Sequence, residues 1–341
     1  MKAVIMAGGE GRRLRPISCG QPKPLVPFLG RPIMEHIILL LKKQGYTDIC
    51  ATVKYRAEDI IAAFGDGSSL GVSLQYRREE EPLGTAGGVK NCADFYGSDD
   101  FLVISGDAVC DFDLASLMRR HKETGAAVTL ALYTHDRPLS YGLAVTDDTF
   151  RIRAFVEKPD WSRVVSDRVN TGIYIVSPRV MELVPENKPF DFAKELFPLL
   201  LSRGEKLQGM VMEGYWCDVG EPLSYYRCCV DALEGKLDIS IPEAFLPGKA
   251  QHPGGEKPEE GWTLEYPCRS RAALMGRLSG AMLQMDADYS DGIRLVRPNY
   301  SLHLSPDSRR SAIRICVSSH DAEFAAKLAL SVKDLAEILD F

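Results

Sequence analysis

The first sixteen residues, MKAVIMAGGEGRRLRP, place a short apolar segment directly before a glycine-rich, positively charged loop. The apolar segment, Ala3 to Ala7, is continuous rather than alternating, which is typical of a strand buried on both faces of a parallel sheet. Gly8, Gly9 and Gly11 lack a Cβ, so the backbone can take left-handed angles and present its N–H groups. Such a loop suits a polyphosphate, because N–H groups and arginines both attract anions.

This loop matches neither of the two common phosphate-binding signatures. The pattern G-x-G-x-x-G fails because the frame from Gly9 and Gly11 ends on Leu14, and the Gly-Lys-Ser/Thr of the P-loop is absent. A strand followed by a solvated basic turn explains the glycines equally well. The rest of the chain therefore has to decide between the two interpretations.

Strand and helix patterns alternate through the first two-thirds of the chain, which predicts an α/β fold with a mostly parallel sheet wrapped by helices. Ligands of such sheets bind beyond the carboxyl ends of the strands, where the glycine loop and Asp107, after the buried strand FLVIS, both fall. Five segments are predicted to be helices: RPIMEHIILLLKKQG, RAEDIIAAFGDG, GTAGGVKNCADF, PFDFAKELFPLLLSRG and EPLSYYRCCVDALEG, with Asp191 as the N-cap of the fourth.

Composition excludes several classes of protein. A chain of 341 residues with a net charge of -6 suits two soluble domains and argues against nucleic acid as a main partner. No apolar run approaches membrane-spanning length, and glycines and charges begin too early for a signal peptide, so we expect a cytoplasmic protein that does not enter a membrane. The nine scattered cysteines contain no C-x-x-C pair, which predicts neither structural zinc nor a disulfide framework. A homo-oligomer is compatible with the sequence.

Five stretches carry the residues suited to chemistry, in a fixed order: AGGEGRRLRP, QPKPLVP, EEEPLGTAGG, ISGDAVCDFD, and a late set of YG, FVEKP, VNTGIY and GYWCDVG. Together they resemble the sugar-1-phosphate nucleotidylyltransferases, and most closely the mannose-1-phosphate guanylyltransferases of the bacterial type fused to phosphomannomutase. The resemblance covers residues 1–236. It implies a Rossmann-like, mixed and mostly parallel sheet flanked by helices, known as the nucleotide-diphospho-sugar transferase fold.

The resemblance also implies a reaction. A nucleoside triphosphate and a sugar 1-phosphate, here GTP and mannose 1-phosphate, would give GDP-mannose and pyrophosphate. The attacking phosphate oxygen is already ionised near neutral pH, so the protein needs no general base. It must instead position two polyanions and neutralise the charge on the leaving pyrophosphate, which predicts Arg, Lys and Mg²⁺ at the site.

Site residues carry over from the family position by position. The expected catalytic residues are Arg13, Lys23, Asp107 and Asp218, and the two aspartates would hold the Mg²⁺ ion. The expected nucleotide-binding residues are Ala7, Gly8, Gly9, Gly11, Arg12, Arg13, Lys23, Glu79, Gly84, Thr85 and Asp107. The expected sugar-phosphate-binding residues are Gly142, Glu157, Lys158, Asn170 and Thr171. The chain departs from the family at Arg12, where Thr or Ser is usual.

Each of these charged residues could also have an ordinary structural role instead of a role in binding or catalysis. A lone arginine or lysine is most often a solvated surface residue. An aspartate after a strand is often a turn or cap residue, a role that Asp111 and Asp113 fit better than Asp107 does.

The base specificity depends on Glu79. Relatives that use uridine or thymidine triphosphates have a glutamine five residues before the glycine of the GTAG-like turn, and here that position is Glu79. A carboxylate only accepts hydrogen bonds, which suits the adjacent N1–H and N2–H₂ donors of guanine. The alternative is that Glu79 belongs to an exposed acidic run, Glu79 to Glu81.

The remaining sequence divides into a Pro- and Gly-rich linker, residues 237–261, and a small α+β domain, residues 262–341. This domain resembles the last domain of phosphohexomutases. The phosphate-binding loop of that domain, R-P-S-G-T-E-P, corresponds here to SPDSRRS, Ser305 to Ser311, so we expect no mutase activity. We expect residues 1–236 to keep the catalytic chemistry without this domain.

Two further functions stay open from the sequence. One is a transferase for another substrate pair, glucose 1-phosphate with uridine or thymidine triphosphate. The other is a catalytically silent subunit that binds a nucleotide sugar and regulates a partner. Silent copies are expected to lose the loop arginine or the metal carboxylates, and the presence of Arg13, Asp107 and Asp218 favours an enzyme.

Overall fold

The structure is a computed structural model that describes residues 1–14, 17–18, 20–135, 138–157, 166–240, 261–282, 287–288, 292–297, 299–306, 312–319 and 321–340. The chain divides into two compact units, Met1–Glu10 with Ile37–Trp216, and Gly11–His36 with Cys217–Phe341. Each unit is therefore made of two segments that are separated in the sequence. The division into residues 1–236, 237–261 and 262–341 stays a prediction, and most of its linker, residues 241–260, lies outside the described residues.

Strands and helices alternate along the described chain. The strands are β1 Lys2–Met6, β2 Pro27–Phe28, β3 Arg31–Pro32, β4 Asp48–Val53, β5 Ser73–Arg78, β6 Phe101–Ser105, β7 Ala108–Cys110, β8 Val128–Thr134, β9 Gly142–Thr146, β10 Ile152–Glu157, β11 Arg168–Val176, β12 Leu207–Val211, β13 Trp216–Asp218, β14 Gly261–Pro267, β15 Ile293–Arg297, β16 Tyr300–Pro306 and β17 Ala312–Ser319. The helices are α1 Ile33–Lys43, α2 Ala57–Phe64, α3 Gly84–Lys90, α4 Ala93–Tyr96, α5 Leu114–Thr124, α6 Pro178–Met181, α7 Phe197–Ser202, α8 Pro222–Leu233, α9 Arg271–Met282 and α10 Ala322–Leu339.

The first unit is built on a nine-stranded mixed sheet in the order β10-β9-β11-β6-β1-β4-β5, with β8 and β12 continuing from β11. The strands β6, β1, β4 and β5 are parallel, and β11 runs antiparallel to β6, β8 and β9. Ala3, Val4 and Ile5 of β1 are fully buried, which confirms the strand expected from their continuous apolarity. The α/β fold class is confirmed.

Two of the predicted helices begin or end differently. Helix α1 starts at Ile33, because Pro32 pairs with Pro27 in the β2–β3 hairpin and Ile33 N donates to Val26 O at 3.0 Å. The helix expected over GTAGGVKNCADF is interrupted after Lys90 and resumes as α4.

Asp191 stands at the predicted N-cap position, before a π-helical turn at Phe192–Leu196, but its side chain does not cap that turn in the described structure. Its carboxylate instead accepts a hydrogen bond from Thr85 Oγ1 at 3.1 Å, and Glu195 Oε2 accepts from the Asp191 N–H at 2.6 Å. The capping prediction is therefore wrong in its hydrogen bond, since the Asp191 carboxylate bonds to Thr85 and not to an N–H group of the turn.

The C-terminal part of the second unit is a four-stranded antiparallel sheet in the order β14-β17-β16-β15, with α9 and α10 packed on it. It confirms the small α+β domain. Most of the degenerate phosphate-loop sequence, residues 307–311, lies outside the described residues. Within the described chain, every helix is too short or too polar to cross a bilayer.

Asp334 on α10 makes the stability of this unit depend on pH. Burial, with repulsion from Glu337, raises the pKa of its carboxyl to about 7, against the attraction of Lys333. Arg31 of the hairpin and Glu337 line the same cavity of ≈ 440 Å³ as Asp334, and Tyr225 of α8 lies close enough for the Asp334 charge to raise its pKa. Because the pKa is raised on folding, the stabilisation is full at acidic pH and is lost as pH rises through about 7.

We therefore expect Asp334→Asn to gain stability relative to the parent as pH rises from about 4 to about 7, and no further above that. Thermal unfolding midpoints of both proteins across this range measure the difference. A difference that is the same at every pH would show that Asp334 ionises in the folded protein as it does in the unfolded chain.

Candidate active site

Gly106 allows the ends of β6 and β1 to meet. A Cβ on Gly106 would lie 2.8 Å from Met6 O and 3.2 Å from Ala7 Cα, and the Gly106 N–H donates to Met6 O at 2.9 Å. Only glycine permits this backbone approach. Asp107 follows Gly106 directly and therefore lies near the start of the glycine loop. Asp107 is half-buried and accepts a hydrogen bond from Ser105 Oγ. Sequence reasoning missed Gly106, whose signal is a glycine between a buried strand and an acid.

Glu79 does not belong with its exposed neighbours Glu80 and Glu81. It is half-buried, and its Oε2 accepts a hydrogen bond from Leu83 N at 3.1 Å. Its Oε1 fills the space beside two glycines, since a Cβ would lie 3.5 Å from this atom at Gly8 and 2.5 Å at Gly88. The interpretation of Glu79 as part of an exposed acidic run is therefore wrong.

The electrostatics of Glu79 follow from this placement. Burial raises the pKa of its carboxyl, while the hydrogen bond from Leu83 and the charge of Lys54 act in the opposite direction. The carboxylate lies beside the first glycine of the loop after β1, where a base-reading side chain was expected.

Helix α3 is attached at its start to the segment around Phe190. Gly84 has φ +70°, and a Cβ there would lie 2.7 Å from Phe190 O. Thr85 Oγ1 donates to Asp191 Oδ1 at 3.1 Å and accepts from Phe192 N at 2.9 Å. The Thr85 side chain thus holds α3 in place, and a nucleotide contact by Gly84 or Thr85 stays a prediction.

The expected sugar-side residues lie on neighbouring strands. Gly142 and Glu157 are cross-strand partners in β9 and β10, and a Cβ on Gly142 would lie 2.8 Å from Glu157 Oε2. The glycine leaves room for an exposed carboxylate at this end of the sheet. Lys158, the residue expected to bind the sugar phosphate, lies outside the described residues.

A register shift in β11 brings Gly172 close to the end of β6, two residues before Asp107. The pairing register shifts between Asn170 and Tyr174, and Gly172, at φ +78°, approaches Ser105 so closely that a Cβ would lie 3.1 Å from its Cβ. Asn170 Oδ1 accepts from Gly172 N at 3.2 Å. Thr171 is buried and donates to Ala131 O at 2.8 Å, so its hydroxyl supports the sheet.

Two nearby aspartates have structural roles, as expected. Asp113 caps α5 by accepting from Ser116 N at 3.0 Å. Asp111 Oδ1 accepts from Tyr215 N at 2.6 Å and occupies the space beside Gly214. Asp113 is therefore a matched control for Asp107 in mutagenesis.

In the second unit the rest of the glycine loop folds onto Lys23. Gly11 has φ +67°, and a Cβ there would lie 2.8 Å from Lys23 Cβ. The Gly11 carbonyl accepts from Leu14 N and from Ser18 Oγ, both at 3.0 Å. Arg12 and Arg13 follow in a 3₁₀ turn, Arg12–Leu14, and are exposed. A solvated role for these two arginines is therefore still open.

Lys23 is not a surface lysine. Its side chain is only 6% exposed, and its Nζ lies 3.4 Å from Asp218 Oδ1. Asp218 lies so close to Gly220 that a Cβ there would come within 2.9 Å of its Oδ2, so the glycine leaves room for the carboxylate. Burying an ammonium group costs free energy unless opposite charges compensate it. The burial of Lys23 therefore indicates a specific role for its charge, one that a solvated surface lysine does not have. The structure thus brings together two of the four expected catalytic residues within this unit.

A Ser, a His and an Asp also meet in the first unit, but not as a catalytic triad. His121 Nε2 faces both Ser177 Oγ, at 3.2 Å, and Asp100 Oδ2, at 3.5 Å, while Nδ1 contacts Thr129 Oγ1 at 2.9 Å. A triad needs the acid and the serine on different ring nitrogens. His121 is buried, and burial lowers its pKa, so the cluster is structural.

The carboxylates of Asp107 and Asp218 suit a hard cation better than the thiol of the neighbouring Cys110 does. Within the described residues, no three His, Cys, Asp or Glu side chains cluster closely enough to form a metal site by themselves. Asp107 and Asp218 offer oxygen donors, which Mg²⁺ prefers, and it commonly keeps waters and phosphates as its other ligands. Cys110 is a poor candidate, because burial raises its pKa to about 12 and a thiol suits softer metals.

Known proteins with similar sequences are nucleotide–sugar enzymes by name. A family profile described as "Nucleotidyl transferase" matches residues 2–235. A UTP–glucose-1-phosphate uridylyltransferase of Synechocystis sp. is 37% identical over 267 residues, which is 74% of this chain and 68% of that protein. A mannose-1-phosphate guanylyltransferase of Mycobacterium tuberculosis is 33% identical over 294 residues, covering 86% of this chain and 77% of its own.

Similar solved structures cover the same part of the chain. HddC from Yersinia pseudotuberculosis complexed with GMP-PN superimposes with a TM-score of 0.59 and 29% identity, over 67% of this chain and 97% of its own. A putative glucose-1-phosphate thymidylyltransferase from Bacillus anthracis gives a TM-score of 0.63 at 29% identity, over 70% and 97% respectively. The closer resemblance to the type fused to phosphomannomutase stays a prediction. Together with the profile match over residues 2–235, these likenesses confirm the fold and the resemblance to nucleotidylyltransferases: the chain belongs to the nucleotidyl transferase family.

Proposed function

We propose that this protein is a Mg²⁺-dependent sugar-1-phosphate nucleotidyltransferase that makes GDP-mannose and pyrophosphate from GTP and mannose 1-phosphate. The observation that carries the proposal is the buried Lys23, held between the glycine loop at Gly11 and the carboxylate of Asp218. A buried cation beside a glycine loop suits a polyphosphate, and the family supplies the reaction class.

The chemistry requires placement more than acid–base catalysis. An oxygen of the sugar phosphate attacks the α-phosphorus of the triphosphate, a new P–O bond forms, and the bond from the α-phosphorus to the bridging oxygen breaks. The pyrophosphate leaves with that electron pair. Lys23 and Arg13 would neutralise the growing charge on the leaving group, with N–H groups of the loop from Ala7 to Gly11. Mg²⁺ bound by Asp107 and Asp218 would supply further charge neutralisation.

The sugar phosphate would bind at the neighbouring strands of the first unit. Glu157 and Asn170 offer hydrogen-bonding groups for sugar hydroxyls, and Lys158 offers a charge for the phosphate. A pocket that hydrogen-bonds hydroxyls can discriminate between sugars, because a missing or misplaced hydroxyl leaves a polar group unpaired. Support for mannose comes from the family resemblance and from the relative in M. tuberculosis.

We assign recognition of the nucleotide's base to Glu79. Its carboxylate lies beside Gly8 and only accepts hydrogen bonds, which suits the two adjacent donors of guanine. We expect Glu79→Gln to lower kcat/KM for GTP and to raise the relative use of uridine or thymidine triphosphate, by about 10-fold in the ratio. Steady-state rates with each triphosphate measure the ratio.

Glu80→Gln is the matched control for this substitution, because Glu80 is exposed and adjacent. Its ranking of triphosphates should equal that of the parent. If Glu79→Gln also keeps the parental ranking, Glu79 does not read the base.

The uridylyltransferase from Synechocystis sp. is a specific reason to carry a second substrate pair, glucose 1-phosphate with uridine triphosphate. One experiment separates the two. Pyrophosphate release by the purified protein is measured for each of four triphosphates with each of several sugar 1-phosphates, including mannose and glucose 1-phosphate. The highest kcat/KM should fall on GTP with mannose 1-phosphate. A higher value for another pair would reassign the substrates, and no turnover with any pair would favour the silent regulatory subunit.

A further inference from the structure

Tyr225 connects helix α8 to the segment that carries Lys23. The Tyr225 side chain is buried, and its hydroxyl donates to Pro27 O at 2.7 Å. Its ring also packs edge-on against Phe28, with centroids 6.2 Å apart. This hydrogen bond is a tertiary contact, since its two partners are 198 positions apart in the chain. Tyr225 therefore fixes where the segment lies against α8.

That segment is stiff enough to transmit the position of Pro27 to Lys23. Leu25 N donates to Pro22 O at 2.9 Å, and Val26 N donates to Lys23 O at 3.1 Å. Prolines at positions 22, 24 and 27 fix further backbone angles. A shift of Pro27 would therefore move Lys23.

Helix α8 also follows Asp218 closely. The helix begins at Pro222, four residues after the carboxylate that lies 3.4 Å from Lys23 Nζ. The Glu221 N–H donates to Ser224 Oγ at 3.2 Å, which fixes the entry into the helix. Tyr225 is thus in the first turns of the helix that follows Asp218 in the chain, and its hydroxyl bonds to the segment that carries Lys23.

Helix α8 also packs against the C-terminal domain, and Cys229, one turn after Tyr225 on the same face, takes part in this packing. Cys229 is hydrogen-bonded to Ser331 of α10, and Tyr226 Oη lies 2.9 Å from Tyr300 Oη at the start of β16. Cys228 and Cys229 are both buried. Without this domain α8 would expose these side chains, which argues against the expectation that residues 1–236 function by themselves.

We propose that Tyr225 is a positioning residue for the reaction, one that sets the distance and direction of Lys23 relative to Asp218 through its hydrogen bond to Pro27. The inference rests on the proposed function, because Lys23 matters only if it acts on the phosphates. In this proposal Tyr225 acts only through the segment that carries Lys23.

Tyr225→Phe removes the hydroxyl and keeps the ring, so it tests the hydrogen bonds of the hydroxyl, to Pro27 O and to Cys229, without removing the ring packing. We expect kcat to fall about 10-fold with little change in KM. A misplaced charge stabilises the transition state less well, while it changes binding of the ground state little. Tyr226→Phe is the matched control. It removes an equally buried tyrosine hydroxyl from the same helix, one bonded to Tyr300 and not to the Lys23 segment, and it should keep kcat within about threefold of the parent.

A double-mutant cycle separates positioning from a general loss of packing. If Tyr225 acts through Lys23, the Tyr225→Phe change should have almost no further effect on kcat in the Lys23→Ala background. The same 10-fold loss in both backgrounds, or an equal loss in Tyr226→Phe, would overturn the proposal. A Lys23→Ala protein with the parental rate would instead overturn the role of Lys23 in the proposed function, so the two failures are distinguishable.

Discussion

Replacing Lys23 by alanine is expected to lower kcat/KM by about 10²-fold or more, as loss of a charge-stabilising group commonly does. The ammonium group is buried and lies 3.4 Å from Asp218 Oδ1, so no water-exposed lysine can replace it. The substitution leaves Asp218 without this partner in a poorly solvated place, and some loss of stability will accompany the loss of rate. Initial rates over a range of substrate concentrations, on protein shown to be folded by circular dichroism, give kcat/KM.

Lys122→Ala is the control, because Lys122 is an exposed lysine of α5. It should keep the parental kcat/KM. Gly11→Ala should reproduce the Lys23 defect in part, since its Cβ would lie 2.8 Å from Lys23 Cβ. A Lys23→Ala protein within about threefold of the parent would show that the buried lysine is structural.

Replacing either metal carboxylate should have an effect at least as large. We expect Asp107→Asn and Asp218→Asn each to lower kcat by about 10²- to 10³-fold, because an amide keeps the shape but loses the charge that would hold Mg²⁺. Excess chelator should abolish turnover of the parent, and added Mg²⁺ should restore it. The measurement is pyrophosphate release as a function of Mg²⁺ concentration for each protein.

Asp113→Ala separates metal binding from general damage to the carboxylates of this region. Asp113 caps α5, so its loss should cost about 1 kcal/mol of stability and leave the Mg²⁺ dependence unchanged. Undiminished turnover in chelator, or an Asp218→Asn protein as active as the parent, would contradict the metal role.

The fold was largely readable from the sequence because its core strands are buried on both faces. Continuous apolarity marked β1 and β6, and the acids and glycines after them indicated the candidate site. Boundaries were less readable where backbone pairing decided them. Pro32 reads as a helix start, and it lies in a hairpin because its neighbour Ile33 bonds to Val26.

Side-chain partners distant in the chain could not be predicted. The Thr85 hydroxyl suits a nucleotide by family resemblance, and the structure bonds it to Asp191 and Phe192, more than a hundred residues away. Thr171 likewise bonds to the Ala131 carbonyl. Polar groups of this kind satisfy whichever partner the tertiary fold presents, and local sequence carries no trace of that partner.

The importance of Gly106 and Tyr225 was hidden for the same physical reason. Gly106 matters because another strand passes 2.8 Å from where its Cβ would lie. Tyr225 matters because a carbonyl from the Lys23 segment accepts its hydrogen bond. The sequence indicated a small C-terminal domain, but not the packing of α8 against it.

The most direct test of the account follows the oxygen atoms of the sugar phosphate. Purified protein is incubated with GTP, Mg²⁺ and mannose 1-phosphate labelled with ¹⁸O at its terminal phosphate oxygens, and the products are analysed by mass spectrometry. Attack of the sugar phosphate on the α-phosphorus predicts GDP-mannose that retains every labelled oxygen, with an equal amount of unlabelled pyrophosphate. Pyrophosphate that carries label, or GTP consumed without any GDP-mannose, would contradict the account.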